Sequence, residues 1–221
     1  MPEPRHPIAA LFDMDGVIVH SNPYHKKAFK LFLDKHNISL TDEELKENVY
    51  GRTNEEIFPY IFQEKYTPEM GKRWADEKES LFRELFKDDV KPVIGLMDFL
   101  EELQEQKIKC AVGTSAPVEN LDFVMDALDL RPYFDAFLHE ADVSEGKPSP
   151  EIYLKAAERL DTEPKSCVVF EDSVAGVKAG LNAGMKVVAV ATTHSPADFK
   201  GAHLVIHDFE EMSVERMTGL F

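Results

Sequence analysis

From Pro92 to the end of the chain, short apolar runs alternate with amphipathic stretches of helical period. This alternation restricts the possible folds more than any other feature. Leu96, Phe99, Leu100 and Leu103 recur at i, i+3, i+4 and i+7, which predicts a helix over 95–106. Residues 108–113 form a brief apolar run ending in glycine, the pattern of a buried strand. Leu121, Val124, Met125 and Leu128 predict the next helix, and 133–138 leads into another short strand. Ser149-Pro150-Glu151 reads as an N-cap followed by proline at the first helical position. That helix carries Tyr153, Ala156, Ala157 and Leu160 on one face. A buried strand over 167–170 precedes a helix over 174–183, capped by Ser173 and stopped by Gly184. The last strands are expected at 185–190 and 203–206. Strands separated by such helices form βαβ units, hence a parallel sheet with right-handed crossovers.

The first strand, about 8–12, stands apart from this series. Between Pro23 and Pro92 there is no convincing strand, and Phe, Tyr and Leu recur at helical spacing. Thr41-Asp42-Glu43-Glu44 is a capping box. Ile57, Phe58, Ile61 and Phe62 share a helix face. Trp74, Leu81, Phe82 and Leu85 mark a longer helix with heavy charge on its other side. This block has ~70 residues, the size of a small domain. The expected class is therefore α/β: a Rossmann-like, doubly wound parallel sheet core (1–21 and 93–221) with an inserted all-helical cap domain (22–92). The insertion leaves the sheet just after Asp15 and returns before the second strand. It is expected to lie over the strand ends as a lid on two hinges, near 20–23 and 91–95.

The residues with chemical potential fall at strand ends. The first strand runs into Asp13-Met14-Asp15-Gly16. Two carboxylates this close repel, which raises one pKa or requires a cation between them; the ordinary alternative is a strand-to-turn junction. Thr114-Ser115 ends the second strand, and either residue could instead cap the following helix. Lys147 precedes Pro148 in a loop, where a solvated lysine is the ordinary finding. Glu171-Asp172 ends the fourth strand, where acids also suit a helix start. The carboxyl ends of adjacent parallel strands share one rim, ~4.8 Å apart per strand, and ligands bind there in open α/β sheets. The joint occurrence of these signals, in order, outweighs their separate ordinary explanations.

Composition narrows the partners. Formal net charge is -16 over 221 residues, which argues against a nucleic-acid binder and against docking on an anionic membrane. An acidic chain that handles anionic substrates needs a local lysine or a metal in its site. Cys110 and Cys167 lie in strand-like runs without zinc-ligand spacing and are expected as buried free thiols. No apolar run approaches the ~20 residues of a membrane span, and no secretory signal is visible. A cytoplasmic monomer is expected.

Phe12-Asp-Met-Asp-Gly-Val17, Gly113-Thr-Ser115, Gly146-Lys-Pro-Ser-Pro150 and Phe170-Glu-Asp-Ser-Val-Ala-Gly176 resemble the four motifs of the haloacid dehalogenase-like superfamily. The similarity is nearest to its beta-phosphoglucomutase-like phosphatase branch and extends to the helical insertion. The resemblance implies that Asp13 is the nucleophile and forms an aspartyl-phosphate. Asp15 is then the general acid/base. Residues i and i+2 of a strand point the same way, and the turn at Gly16 lets Asp15 swing. Thr114 and the backbone near Ser115 would hold phosphoryl oxygens, and Lys147 would neutralise phosphate and nucleophile. The implied metal is Mg²⁺, held by Asp13, Asp172 and the Asp15 carbonyl, with Glu171 behind it; Mg²⁺ favours few carboxylates plus water and phosphate.

By the same resemblance, substrate choice belongs to the cap. Tyr24 and His25 open its first helix. Tyr50, Arg52 and Asn54 lie in a second stretch, where Asn54 could instead cap the next helix. The mutase itself has Lys where Tyr50 stands and Arg where Asn54 stands, which weakens a mutase reading here. His20 departs from the Asp common among relatives. The expected function is Mg²⁺-dependent hydrolysis of a small phosphorylated metabolite or pyrophosphate. A sugar-phosphate mutase is the alternative, and a non-catalytic phosphate-binding module is a third.

Overall fold

The computed structural model describes residues 8–49 and 53–221. The chain divides into two compact units, one formed by residues up to His20 together with Val90–Phe221, the other by Ser21–Asp89. The strands are β1 (Ala9–Phe12), β2 (Lys109–Gly113), β3 (Ala136–Leu138), β4 (Cys167–Glu171), β5 (Lys186–Val190) and β6 (Leu204–Ile206). The helices of the second unit are α1 (Asn22–Lys35), α2 (Asp42–Asn48), α3 (Asn54–Phe62) and α4 (Pro68–Phe86). Those of the first are α5 (Leu96–Glu105), α6 (Val118–Ala127), α7 (Glu151–Arg159), α8 (Val174–Asn182) and α9 (Val214–Thr218).

The six strands form one parallel sheet in the order β3-β2-β1-β4-β5-β6. β1 is central and every one of its residues is buried, as a continuous apolar strand covered on both faces must be. Its side chains alternate. Ala9 and Leu11 join Tyr153 and Ala156 of α7 and Val177 and Ala179 of α8. Phe12 points the other way, stacking on Phe170 (centroids 4.7 Å apart, planes at 10°) and meeting Phe134 edge-on at 5.7 Å. Phe99 of α5 and Phe209 complete that aromatic layer. Helices on both faces make the sheet doubly wound. The chain builds outward from β1 to β3, then crosses to β4, so the topological switch point lies beside the carboxyl end of β1.

Several element ends differ from expectation by one residue. β1, β2, β5 and β6 each begin one residue late, and β4 runs on to Glu171. Strand ends are set by ladder partners in other segments, which local periodicity does not contain. Ser149 is not the N-cap of α7: Pro150 holds that position, and Ser149 Oγ accepts from the Glu151 N–H at 3.4 Å. Ser173 does cap α8, and Gly184 follows with φ +73°, a conformation that favours glycine.

The second unit has no strand among its described residues. Its core joins Phe29, Phe32, Leu33, Leu45, Ile57, Phe58 and Trp74. Thr41 forms the expected capping box with Glu44. On α4 the buried face carries Trp74 and Phe82, but Leu81 and Leu85 are only half-buried. Lys78 and Glu79 are buried in their place and pair with each other, which an apolar pattern does not register.

Candidate active site

β1 ends at Phe12, but the Asp13 N–H still donates to the Phe170 carbonyl at 3.0 Å, so Asp13 stands on the rim of the sheet at the switch point. Its side chain is buried. Lys147 reaches the same place from the loop before α7. Its Nζ donates to Asp13 Oδ1 at 2.5 Å, to Glu171 Oε1 at 2.6 Å and to the Gly113 carbonyl at 3.1 Å. Only 8% of the lysine side chain is accessible, so it is not a solvated loop lysine. Burial opposes its charge, but the Asp13 and Glu171 carboxylates outweigh burial and raise its pKa.

Glu171 is held on both oxygens. Lys147 and the Tyr153 hydroxyl (2.6 Å) donate to Oε1; the Ser173 N–H (3.2 Å) and Oγ (3.1 Å) donate to Oε2. The Lys147 ammonium also lies 5.0 Å from the Tyr153 ring centre, within cation–π range. Ser173 Oγ accepts in turn from the Gly176 N–H at 2.9 Å. A Cβ on Gly176 would collide with the Glu171 carboxylate, which its donors prevent from yielding. Gly176→Ala should therefore cost about 1–3 kcal/mol of stability, read by urea unfolding; an unchanged midpoint would mean that the carboxylate moves freely.

Asp172 follows at the start of the α8 loop. The Thr193 hydroxyl donates to its Oδ2, and His194 Nδ1 lies 3.0 Å from its carbonyl. Among the described residues, Asp13, Glu171 and Asp172 form one buried group whose ligand oxygens lie within 4.8 Å of one another. Burial raises Asp13 well above the usual carboxylate range; Lys147 opposes the rise, while Glu171, Asp172 and Asp15 add to it. Burial, then the Glu171 charge, pushes Asp172 up to about 7. One lysine leaves three buried carboxylates with excess negative charge, and oxygen ligands at this spacing fit a hard divalent cation. The group could hold a metal ion.

The shift at Asp172 has a testable sign. Its pKa is raised from 3.8 to about 7, so its contribution to stability is complete below 3.8 and is lost as pH rises through about 7. In chelator, Asp172→Asn removes that loss. The melting temperature of the variant minus that of wild type should grow between about pH 5 and pH 8; a difference that stays flat sinks the assignment.

Asp15 is carried by a turn, not by the strand. The N–H groups of Val17, Ile18 and Val19 all point to the Met14 carbonyl, and Gly16 has φ +81°. Both Asp13 and Asp15 follow the end of β1, so strand alternation does not set their relative direction. Asp15 lies outside the buried carboxylate group, yet its charge adds to the rise at both Asp13 and Asp172. Thr114 is buried, and its Oγ1 accepts from the Ala116 N–H at 3.1 Å. A hydroxyl that accepts one bond still carries a proton to donate. Neither Thr114 nor Ser115 caps α6, whose N-cap is Pro117.

In the second unit, Tyr24 donates to Asp89 at 2.7 Å and packs on Phe86. His25 stacks on Phe82 with ring centres 3.7 Å apart, and its Nδ1 is 3.9 Å from Glu79. The Asn54 amide donates to Glu79 at 2.9 Å, and the N-cap of α3 is Thr53. Burial opposes the charge of Glu79, but Lys78, His25 and Asn54 hold its carboxyl below the usual range. His20 is exposed. Tyr50 and Arg52 lie outside the described residues. Cys110 and Cys167 are buried free thiols, each pushed up to about 12 by burial.

Tyr153, Ser173, Thr193 and His194 touch this site without having been singled out for it in the sequence. Thr192-Thr193-His194 follows β5, so the strand-end rule that located the other groups, applied to one more strand, finds them.

A doubly wound parallel sheet with a charged, buried site at its switch point is a Rossmann-like enzyme architecture. A family model described as haloacid dehalogenase-like hydrolase matches residues 10–190, and the chain belongs to that family. The chain is 34% identical over 196 residues to the Phosphorylated carbohydrates phosphatase of Thermotoga maritima, covering 87% of this chain and 88% of that one. It is 30% identical over 216 residues to the Beta-phosphoglucomutase of Bacillus subtilis, covering 94% and 92%. Among solved structures, a HAD hydrolase of family IA, variant 3, from Entamoeba histolytica superposes with a TM-score of 0.89 at 30% identity, covering 96% and 98%.

Proposed function

We propose that the chain is a Mg²⁺-dependent phosphatase that dephosphorylates a small phosphorylated metabolite through an aspartyl-phosphate on Asp13. It is a phosphoric-monoester hydrolase. The observation that carries the finer reading is the buried contact of Asp13 with Lys147 at the switch point of the sheet.

In this mechanism an Asp13 oxygen attacks phosphorus, and the bond to the leaving oxygen breaks. Asp15 gives that oxygen its proton. The resulting Asp15 carboxylate then takes a proton from water, whose oxygen attacks the phosphorus of the acyl-phosphate; phosphate leaves and Asp13 is restored. Lys147 and the Thr114 hydroxyl hold the phosphoryl oxygens, with the backbone near Ser115. Asp13, Asp172 and the Asp15 carbonyl would hold Mg²⁺, which supplies positive charge against the phosphoryl group. Glu171 acts by anchoring Lys147.

The helical unit serves as the cap that selects the substrate, through Tyr24, His25, Tyr50, Arg52 and Asn54. A phosphorylated carbohydrate is the favoured class, on the similarity to the Thermotoga enzyme. Hydrolysis is favoured over mutase action because Asn54, a neutral amide, is committed to Glu79 and supplies no cation for a second phosphate. We place the enzyme in the cytoplasm, acting as a monomer; free thiols suit that compartment.

The test is phosphate release over sugar phosphates, nucleotides and pyrophosphate with Mg²⁺. Release from a sugar phosphate, abolished by chelator, is expected. Isomerisation of glucose phosphates without phosphate release would overturn the hydrolase reading in favour of the mutase.

A further inference from the structure

We propose that Thr193, in the loop after β5, is a positioning residue that sets the affinity of the site for its divalent cation by orienting the Asp172 carboxylate. The inference rests on the Mg²⁺ reading above and adds a residue that takes no part in the reaction steps.

Of the buried carboxylates, Glu171 is committed on both oxygens to Lys147, Tyr153 and Ser173. Asp13 is fixed through Oδ1 by Lys147. Asp172 follows the last residue of β4. A donor that fixes one carboxylate oxygen sets the last torsion and so aims the other oxygen. The Thr193 hydroxyl supplies that donor at Oδ2.

The support behind Thr193 is stiff. The Ala191 N–H donates to the Ile206 carbonyl at 2.8 Å, which ties the base of the loop to β6. The Thr192 hydroxyl donates to the Gly16 carbonyl at 2.5 Å, which ties the loop to the turn that carries Asp15. His194 Nδ1 lies 3.0 Å from the Asp172 carbonyl; a carbonyl only accepts, so this nitrogen carries the proton and donates. Three consecutive side chains thus hold the Asp15 turn, the Asp172 carboxylate and the Asp172 main chain. Orienting donors of this kind typically change metal affinity by about 10- to 100-fold.

The test is calorimetric titration of the metal-stripped full chain with Mg²⁺ alone, without substrate, together with thermal melts in chelator. Thr193→Val keeps the shape and removes the hydroxyl. It should weaken Mg²⁺ binding by about 10- to 100-fold, while Thr193→Ser should bind within about threefold of wild type because the donor is kept. Equal affinity of Thr193→Val and wild type overturns the inference and leaves the Mg²⁺ reading standing. A Thr193→Val chain that is unfolded in chelator overturns it in favour of a purely structural role. If wild type binds no Mg²⁺, the Mg²⁺ reading fails and the inference fails with it.

Discussion

Asp13→Asn should lower phosphate release by on the order of 10⁴-fold or more while leaving the chain folded. The amide is nearly isosteric but is a poor nucleophile, so the acyl-phosphate cannot form. Folding should survive because the substitution removes a charge that burial already disfavours. Lys147 keeps its bonds to Glu171 and to the Gly113 carbonyl. The measurements are steady-state phosphate release and a thermal melt in chelator. A variant that is folded and within about tenfold of wild-type turnover would falsify the nucleophile assignment.

Removing Lys147 should damage both stability and turnover. Lys147→Met keeps most of the side-chain volume but strips the buried Asp13 and Glu171 carboxylates of their cation. Breaking a buried ion pair from one side typically costs about 3–5 kcal/mol, which in a chain of this size lowers the melting temperature by on the order of 10 °C. The pH dependence has a definite sign. The lysine pKa is raised above 10.5, so its stabilising contribution persists up to that value and is lost only in the alkaline range. Burial raises Asp13 well above the usual carboxylate range and Asp172 to about 7, and Lys147 opposes both rises, so losing the ammonium raises both further. The stability deficit of the variant should therefore widen as pH rises above about 7, from about pH 7 to pH 9. Turnover should fall by about 10²- to 10³-fold, as when one donor to a developing anionic charge is removed. A melting temperature within a few degrees of wild type at both pH values would show that the ammonium is not what holds these carboxylates.

Much of the fold is legible in local pattern. The period-3.6 face of Leu96, Phe99, Leu100 and Leu103 becomes the buried side of α5, and the continuous apolar run at 9–12 becomes the central strand. These patterns survive because each depends on neighbours within a few residues, where backbone geometry dictates which side chains share a face. The same reliance on neighbours explains the errors. Lys78 and Glu79 are buried on α4 because they neutralise each other, and hydrophobic period carries no information about pairing. Lys147 looks like a loop lysine because its partner Asp13 lies 134 positions away.

The strand-end residues were legible because a parallel sheet gathers the carboxyl ends of its strands on one rim whatever their distance in the chain. By itself the sequence determined the order of elements, the helical insertion and the acids, lysine and hydroxyls available at that rim. Only the tertiary structure decided which of them meet. It set β1 between β2 and β4, closed Lys147 onto Asp13 and Glu171, occupied both oxygens of Glu171, and brought Thr193 from the end of β5 onto Asp172. The physical reason is that helix and strand patterns are local, whereas desolvation and charge pairing depend on which distant groups burial brings together.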